Sequence, residues 1–143
     1  MKAPAGAGRR RAREVAFRVV YQADVMAEDL DADWSARCAE EQLGPDPSEL
    51  VGDVLGVLRR RRAEVDELIR SAARNWELDR LAATDRSVLR IAAAELIGRP
   101  GTPARVILDE SIEIARRFGG EESARFVNGV LDHVARLLRP GEV

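Results

Sequence analysis

Four arginines lie close together near the start of the chain, at positions 9, 10, 11 and 13. Guanidinium groups form paired hydrogen bonds with phosphate oxygens and stack on unpaired bases, so such a block is typical of an RNA-binding surface. Positive charge at the start of a helix opposes the helix dipole, at a cost of about 0.3–1 kcal/mol for each charge. We therefore predict that Arg9, Arg10, Arg11 and Arg13 bind phosphates, and the alternative is a solvated helix start.

The charges of the chain are segregated along the sequence. Residues 1–23 carry six cations and one acid, whereas residues 24–50 carry nine acids and one cation. The whole chain has a net charge of −2 and a pI near 5.6, which by itself argues against nucleic-acid binding. Because attraction to phosphate depends on the local field, the basic segment still favours it.

A second group of candidate side chains lies between Glu122 and Gly129. Phe126 can stack on an unpaired base, which is worth about 1–3 kcal/mol. We assign Arg125 to phosphate, and Glu122 to the start of a helix or to a base. Asn128 and Gly129 are poor helix-interior residues, Gly by about 1 kcal/mol relative to Ala. Asn128 is a candidate RNA contact, and the alternative is close helix packing over Gly129 with Asn128 bonded to backbone.

Residues for catalysis or metal binding are scarce. His133 is the only histidine and Cys38 the only cysteine. A histidine–cysteine metal cluster and a Cys–His or Ser–His dyad are therefore not indicated. Gly119-Gly120 lacks the lysine pattern and the preceding strand of a phosphate-binding loop. We predict no enzymatic activity, no cofactor, and a reducing, cytoplasmic location, since no apolar run is long enough to span a membrane.

Apolar residues recur at helical spacing along most of the chain, and no strand alternation of useful length appears. We predict an all-α fold, a compact bundle of about seven helices in two small helical subdomains. Residues 1–8 are expected to form a disordered arm, followed by one domain, 9–143, with subdomains at about 9–73 and 74–140. The predicted helices and turns cover residues 9–26, 34–43, 47–73, 76–81, 85–97, 103–118 and 122–139.

Three blocks of sequence together carry a resemblance to a known family. They are Arg9–Asp24 (RRRAREVAFRVVYQAD), Asp85–Leu96 (DRSVLRIAAAEL) and Ile107–Asp132 (ILDESIEIARRFGGEESARFVNGVLD). With these blocks the chain resembles the transcription antitermination factor NusB family over essentially its whole length. The resemblance implies a non-catalytic protein that binds boxA-type single-stranded leader RNA of ribosomal RNA transcripts. It would do so together with the ribosomal protein NusE, in an antitermination complex on RNA polymerase.

The resemblance also implies roles for individual residues. It makes Tyr21 an RNA contact, through stacking or through its hydroxyl group, and the alternative is a half-buried core tyrosine. It places Asp85 and Arg86 beside the protein-partner surface, and the alternative is helix capping and surface charge. Three charged residues inside the matching blocks are expected to form buried or half-buried ion pairs, namely Arg90, Glu95 and Glu110.

Two other functions stay open at this point. The same fold resembles the N-terminal domain of some ribosomal RNA cytosine methyltransferases, but 143 residues leave no room for a cofactor-binding domain. The chain could then be a stand-alone RNA-binding module that serves such an enzyme. The third hypothesis is a helical protein adaptor without an RNA role. A homodimer is also left open, since some family members resemble dimers that hide the RNA surface.

Overall fold

The computed structural model describes residues 8–30 and 34–142, which contain helices and no strand. Five α-helices form the fold: α1 (Arg9–Val25), α2 (Trp34–Glu40), α3 (Pro45–Ala72), α4 (Ala83–Gly98) and α5 (Ala104–Leu138), with a 3-10 helix at Leu78–Arg80. The predicted all-α class is confirmed. The predicted arm at 1–8 lies outside the described residues except for Gly8. None of the described helices has the length and apolar character that crossing a bilayer requires.

The predicted number of about seven helices is wrong, because the described residues form five α-helices. The two helices predicted on either side of Gly119 and Gly120 are the halves of one element, α5. Gly120 has φ 87° and ψ −177°, so the chain kinks at this residue and continues as a helix without an intervening loop. The element predicted at Trp76–Leu81 contains only the short 3-10 helix.

The helix α4 lies at the centre of the molecule and contacts α1, α3 and α5. Every residue from Ser87 to Leu96 is buried, as expected for a helix covered on all sides. Arg90 and Glu95 lie within this stretch, and only 5% and 2% of their surfaces are exposed. Because an unpaired buried charge is very costly, these two residues require oppositely charged partners from other helices.

The helices α1 and α5 border each other at the surface around this core. On α1, the buried stripe includes Val15, Ala16 and Val20, which pack against the core. On the second half of α5, Val127 and Leu131 are fully buried. Burial of each such large apolar side chain contributes about 1.5–3 kcal/mol. These stripes fix the rotation of both helices, and thereby decide which polar side chains face the surface between them.

We expect the substitution Gly120→Ala to lower the free energy of unfolding by about 1–3 kcal/mol. The φ and ψ of Gly120 fall in a region that is essentially restricted to glycine, so a Cβ atom is strained there even though no neighbouring atom lies within 4 Å. Urea denaturation monitored by circular dichroism measures the loss.

The matched control for this prediction is Gly129→Ala in the second half of α5. A Cβ atom at Gly129 also meets no atom within 4 Å, and the backbone there is helical. The free energy of unfolding of this variant should rise by about 0.5–1 kcal/mol, because alanine is the better helix former. Equal effects of the two substitutions would contradict a strained backbone at Gly120.

Candidate nucleic-acid interface

The arginine block does not form one patch, because successive residues of a helix point about 100° apart. Arg9 donates hydrogen bonds to Asp46 at the start of α3, at 3.1 and 3.0 Å. Arg11 donates to Glu41, just after α2, at 3.1 Å. The hydrogen bonds from Arg9 lower the pKa of Asp46. These two side chains therefore lead away from α5 toward the α2–α3 side of the molecule.

Arg10 points toward α5 instead. Its Nε and Nη2 atoms donate to the two carboxylate oxygens of Glu110 at 2.9 and 3.0 Å. These hydrogen bonds hold the pKa of Glu110 below its ordinary value. The Arg10 side chain is 73% exposed, whereas that of Glu110 is half-buried, so the pair lies at the surface with the cation outermost. The half-buried ion pair expected for Glu110 is confirmed.

Arg13 does not project toward solvent, as a phosphate-binding side chain on this helix would. Its side chain is only 5% exposed, and its Nε and Nη2 atoms donate to both carboxylate oxygens of Glu95 at 2.8 and 2.6 Å. In this position its guanidinium cannot reach a phosphate at the surface. The sequence contained a signal for this burial, since Arg13 lies four residues before Phe17 and seven before Val20, on the buried face of α1.

A surface groove lies between α1 and the two halves of α5, with a volume of 470 Å³. We call it the arginine groove. It brings together three of the predicted RNA-binding residues, Arg10, Arg125 and Asn128. Within the described part of the chain, Arg125 forms no ion pair with an acid. The groove is lined by Arg10, Arg105, Asp109, Glu110, Ile112, Glu113, Arg116, Ala124, Arg125 and Asn128.

A second depression, of 270 Å³, lies on the other flank of the second half of α5. We call it the aromatic pocket. Phe126 is half-buried there, and its ring meets that of Trp76 edge to face, with 5.6 Å between the centroids and 73° between the planes. Sequence reasoning did not select Trp76, although a tryptophan in a predicted turn was a signal. The pocket is lined by Trp76, Leu81, Ala82, Asp85, Gly119, Glu122, Ser123 and Phe126.

The helical repeat explains why the predicted residues of α5 divide between these two sites. Residues three or four apart share a face, so Arg125 and Asn128 point into the arginine groove, and Glu122 and Phe126 into the aromatic pocket. The alternative of close packing over Gly129 is wrong, because a Cβ atom there would meet nothing within 4 Å. The second half of α5 therefore forms a ridge with a basic flank and an aromatic flank.

Tyr21 belongs to neither depression. It is 39% exposed, and its ring centroid lies 5.8 Å from that of Phe17. Phe17 in turn stacks on Phe118 at 4.9 Å, and the guanidinium of Arg117 lies 5.3 Å from the centre of the Phe118 ring. Tyr21 thus forms the outer edge of an aromatic cluster between α1 and the first half of α5, rather than part of the core.

Arg86, which the resemblance places beside a partner surface, is mostly buried. Its side chain is 15% exposed and donates to both oxygens of Asp24. It also donates to the backbone carbonyl groups of Leu78 and Leu81, at 3.2 and 2.8 Å. The alternative of simple surface charge is therefore wrong for Arg86. This side chain ties α1 to the 3-10 helix that precedes α4.

Asp24 connects this group to a second buried arginine. Arg90 donates to Asp24 at 3.1 Å and to both oxygens of Asp66 at 2.9 and 3.2 Å. Burial raises the pKa of Asp24, but the hydrogen bonds and charges of Arg86 and Arg90 lower it more, so it lies below its ordinary value. The buried ion pairs expected for Arg90 and Glu95 are confirmed.

Comparisons with known proteins identify the same family over nearly the whole chain. The profile of the NusB family matches residues 10–136. The transcription antitermination protein NusB of Koribacter versatilis is 42% identical over 131 residues, which cover 91% of this chain and 90% of that protein. The protein of the same name from Anaeromyxobacter dehalogenans strain 2CP-1 is 46% identical over 136 residues, covering 92% and 93% of the two chains.

Two solved structures have the same helical arrangement. The structure of NusB from T. maritima superposes with a TM-score of 0.79 at 35% identity and covers 95% of this chain and 93% of its own. A structure of the antitermination factors NusB and NusE in complex with double-stranded RNA superposes with a TM-score of 0.80 at 25% identity. The match covers 90% of this chain and 96% of that one. From its match over residues 10–136 and its identity to these relatives, the chain belongs to the NusB family.

Proposed function

We propose that this protein is a non-catalytic transcription antitermination factor that binds boxA-type single-stranded leader RNA of ribosomal RNA transcripts together with NusE. Its relatives are transcription antitermination proteins, and one structural neighbour is a complex of NusB with NusE and RNA. The protein would act in the cytoplasm, within an antitermination complex on RNA polymerase. The division into subdomains at about residue 73 is part of this proposal.

The observation that carries the RNA-binding proposal is the convergence of Arg10, Arg125 and Asn128 in the arginine groove. Arg10 lies 115 or more positions from Arg125 and Asn128 in the sequence, yet the three residues line one depression at the border of α1 and α5. Guanidinium groups at two points of a groove can hold two phosphates of one strand, while an amide group can contact sugar or base. Such an arrangement suits an extended single strand.

The acids of the groove imply an exchange of partners. Arg10 is already bonded to Glu110, so a phosphate must replace that carboxylate. The exchange offsets part of the attraction between Arg10 and the phosphate, and three acids in the groove repel the RNA backbone. We therefore expect weak binding of RNA by the protein alone, and tighter binding when NusE supplies further contacts.

We expect the double variant Arg10→Gln and Arg125→Gln to bind RNA more weakly and with a smaller salt dependence. Each phosphate contact contributes about 0.7 to the slope of log K against log salt for a single strand, so the slope should fall by about 1.4. Fluorescence anisotropy with a boxA-like single-stranded RNA, measured with and without NusE across a salt series, tests this. Arg13 is left unchanged because it is buried.

The control is the double variant Arg61→Gln and Arg136→Gln, which removes the same charge outside the groove. Both side chains are exposed, and among the described residues each pairs only with an acid of its own helix. The control should keep the parental slope to within the error of the fit. If both double variants lose affinity equally, the attraction is a general effect of net charge and the groove is not the site.

The remaining assignments are predictions. Arg9 and Arg11 are surface cations that extend the basic end of α1, so they would add phosphate contacts for a strand that continues past the groove. Tyr21 would contact RNA through its exposed edge. For Asp85 and Arg86, a place beside the partner surface rests on the family resemblance, and the buried bonds of Arg86 suit a positioning role better than direct contact.

A further inference from the structure

The aromatic pocket contains more than the predicted Phe126. Trp76 is 58% exposed, which is unusual for so large an apolar side chain, and its ring meets that of Phe126 edge to face. Both rings line the cavity of 270 Å³. Planar aromatic faces next to a depression are typical of sites where unpaired bases stack.

The polar atoms around the cavity are acceptors rather than cations. Asp85, Glu122 and Ser123 line it, and none of the arginines and lysines that the structure describes does. Among the described residues, Asp85 Oδ1 is buried without a hydrogen-bond donor, which is costly for a carboxylate oxygen. A phosphate is repelled here, whereas a ligand that brings N–H groups finds carboxylate acceptors in the lining.

We propose that the aromatic pocket binds one unpaired nucleobase, guanine by preference, which stacks on Trp76 while Asp85 accepts hydrogen bonds from its base edge. The inference rests on the proposed RNA-binding function and names what one part of that site recognises. Guanine carries two adjacent donors, N1–H and the N2 amino group, that match the two oxygens of a carboxylate. Uracil offers a single N–H between two carbonyl groups, which Asp85 repels.

The position of the pocket agrees with this role. It lies across the second half of α5 from the arginine groove, so the two sites are separated by about the 10–12 Å width of one helix. Arg125 precedes Phe126 directly and points to the basic flank. A strand whose phosphates contact Arg125 can therefore place a splayed base over α5 and into the pocket.

The test uses 12-nucleotide RNAs that need no known target sequence: oligouridylate, and the same oligomer with one central guanosine, adenosine or cytidine. Anisotropy should show the guanosine oligomer binding about 5-fold or more tightly than oligouridylate, the range expected for one paired base contact. In Asp85→Asn this ratio should fall to near one, because the variant loses an acceptor for guanine and no longer repels the carbonyl groups of uracil. In Trp76→Ala the guanosine oligomer should bind about 5- to 150-fold more weakly.

A fluorescence readout locates the base independently of affinity. The chain has two tryptophans, so a Trp34→Phe background leaves Trp76 as the only reporter. Stacking of guanine should quench its emission at saturation, and oligouridylate should quench it less. Trp76 is exposed, so Trp76→Ala should melt near the parental temperature, which separates a lost contact from a lost fold.

The outcomes separate the inference from the function on which it rests. If no oligomer binds to the protein with NusE present, the RNA-binding proposal itself fails. If oligomers bind and depend on Arg10 and Arg125, but show no guanosine preference and no Trp76 quenching, only the pocket assignment is overturned. If NusE alone quenches Trp76 and RNA does not, the pocket is a protein contact and the inference is wrong.

Discussion

Replacing Arg13 by methionine is expected to lower the free energy of unfolding by about 3–5 kcal/mol, the range for breaking a buried ion pair from one side. The side chains of Arg13 and Glu95 are 5% and 3% exposed, and two hydrogen bonds join them. Without the guanidinium, the Glu95 carboxylate is left inside the helical core with no countercharge. Urea denaturation at pH 7, followed by circular dichroism, measures the loss.

A double-mutant cycle shows whether the loss comes from the pair. In Arg13→Met with Glu95→Leu, both charges are removed and apolar groups of similar size replace them. This variant should recover most of the stability, because replacing a buried pair with well-packed apolar residues is often neutral or stabilising. If the double variant is as unstable as the sum of the two single variants, the packing of the side chains matters rather than their charges.

Arg13→Met also shows whether Arg13 only stabilises the fold or contacts RNA as well. Arg10→Met is the matched control on α1, since its pair with Glu110 lies at the surface and should shift the melting temperature little. At a temperature where both variants are folded, Arg10→Met should reduce the salt slope of RNA binding and Arg13→Met should not. A reduced slope in folded Arg13→Met would mean that the Glu95 pair opens to let Arg13 reach phosphate.

Replacing Asp24 by asparagine is expected to lower the free energy of unfolding by about 3 kcal/mol at pH 7. Asp24 is the countercharge that Arg86 and Arg90 share, and all three side chains are 15% exposed or less. Arg90 keeps Asp66, but Arg86 keeps only backbone carbonyl groups. The exposed pair Asp132–Arg136 supplies a control, since Asp132→Asn should change the stability little.

The variant should also change how stability depends on pH. The pKa of Asp24 in the folded protein lies below its ordinary value of 3.8. A depressed carboxyl pKa contributes stability that is fully present above the unfolded value and is lost as the pH falls through the folded value. Denaturation at several pH values should therefore show a shallower loss below about pH 4 in Asp24→Asn than in the parent protein. Parallel curves for the two proteins would contradict the role given to Asp24.

The sequence alone determined the helical class and most of the helices. Apolar residues repeat every three or four positions, and this pattern depends only on local geometry, so stripes such as Val127–Leu131 could be found without a structure. The kink at Gly120 was also visible as a pair of glycines, although this pair predicted two separate helices rather than one bent helix. The three matching blocks, which carry the family resemblance, are likewise properties of the sequence.

Only the tertiary structure decided which charges are available to a ligand. The arginines of the block look alike in sequence, yet Arg10 lies at the surface beside α5, and Arg13 is enclosed against α4. Their acidic partners lie 100 and 82 residues away, and helical periodicity has no information at that range. The pairing of Trp76 with Phe126 likewise joins two segments 50 positions apart. The reason is physical: helix formation is local, whereas burial and ion pairing depend on how the helices pack against each other.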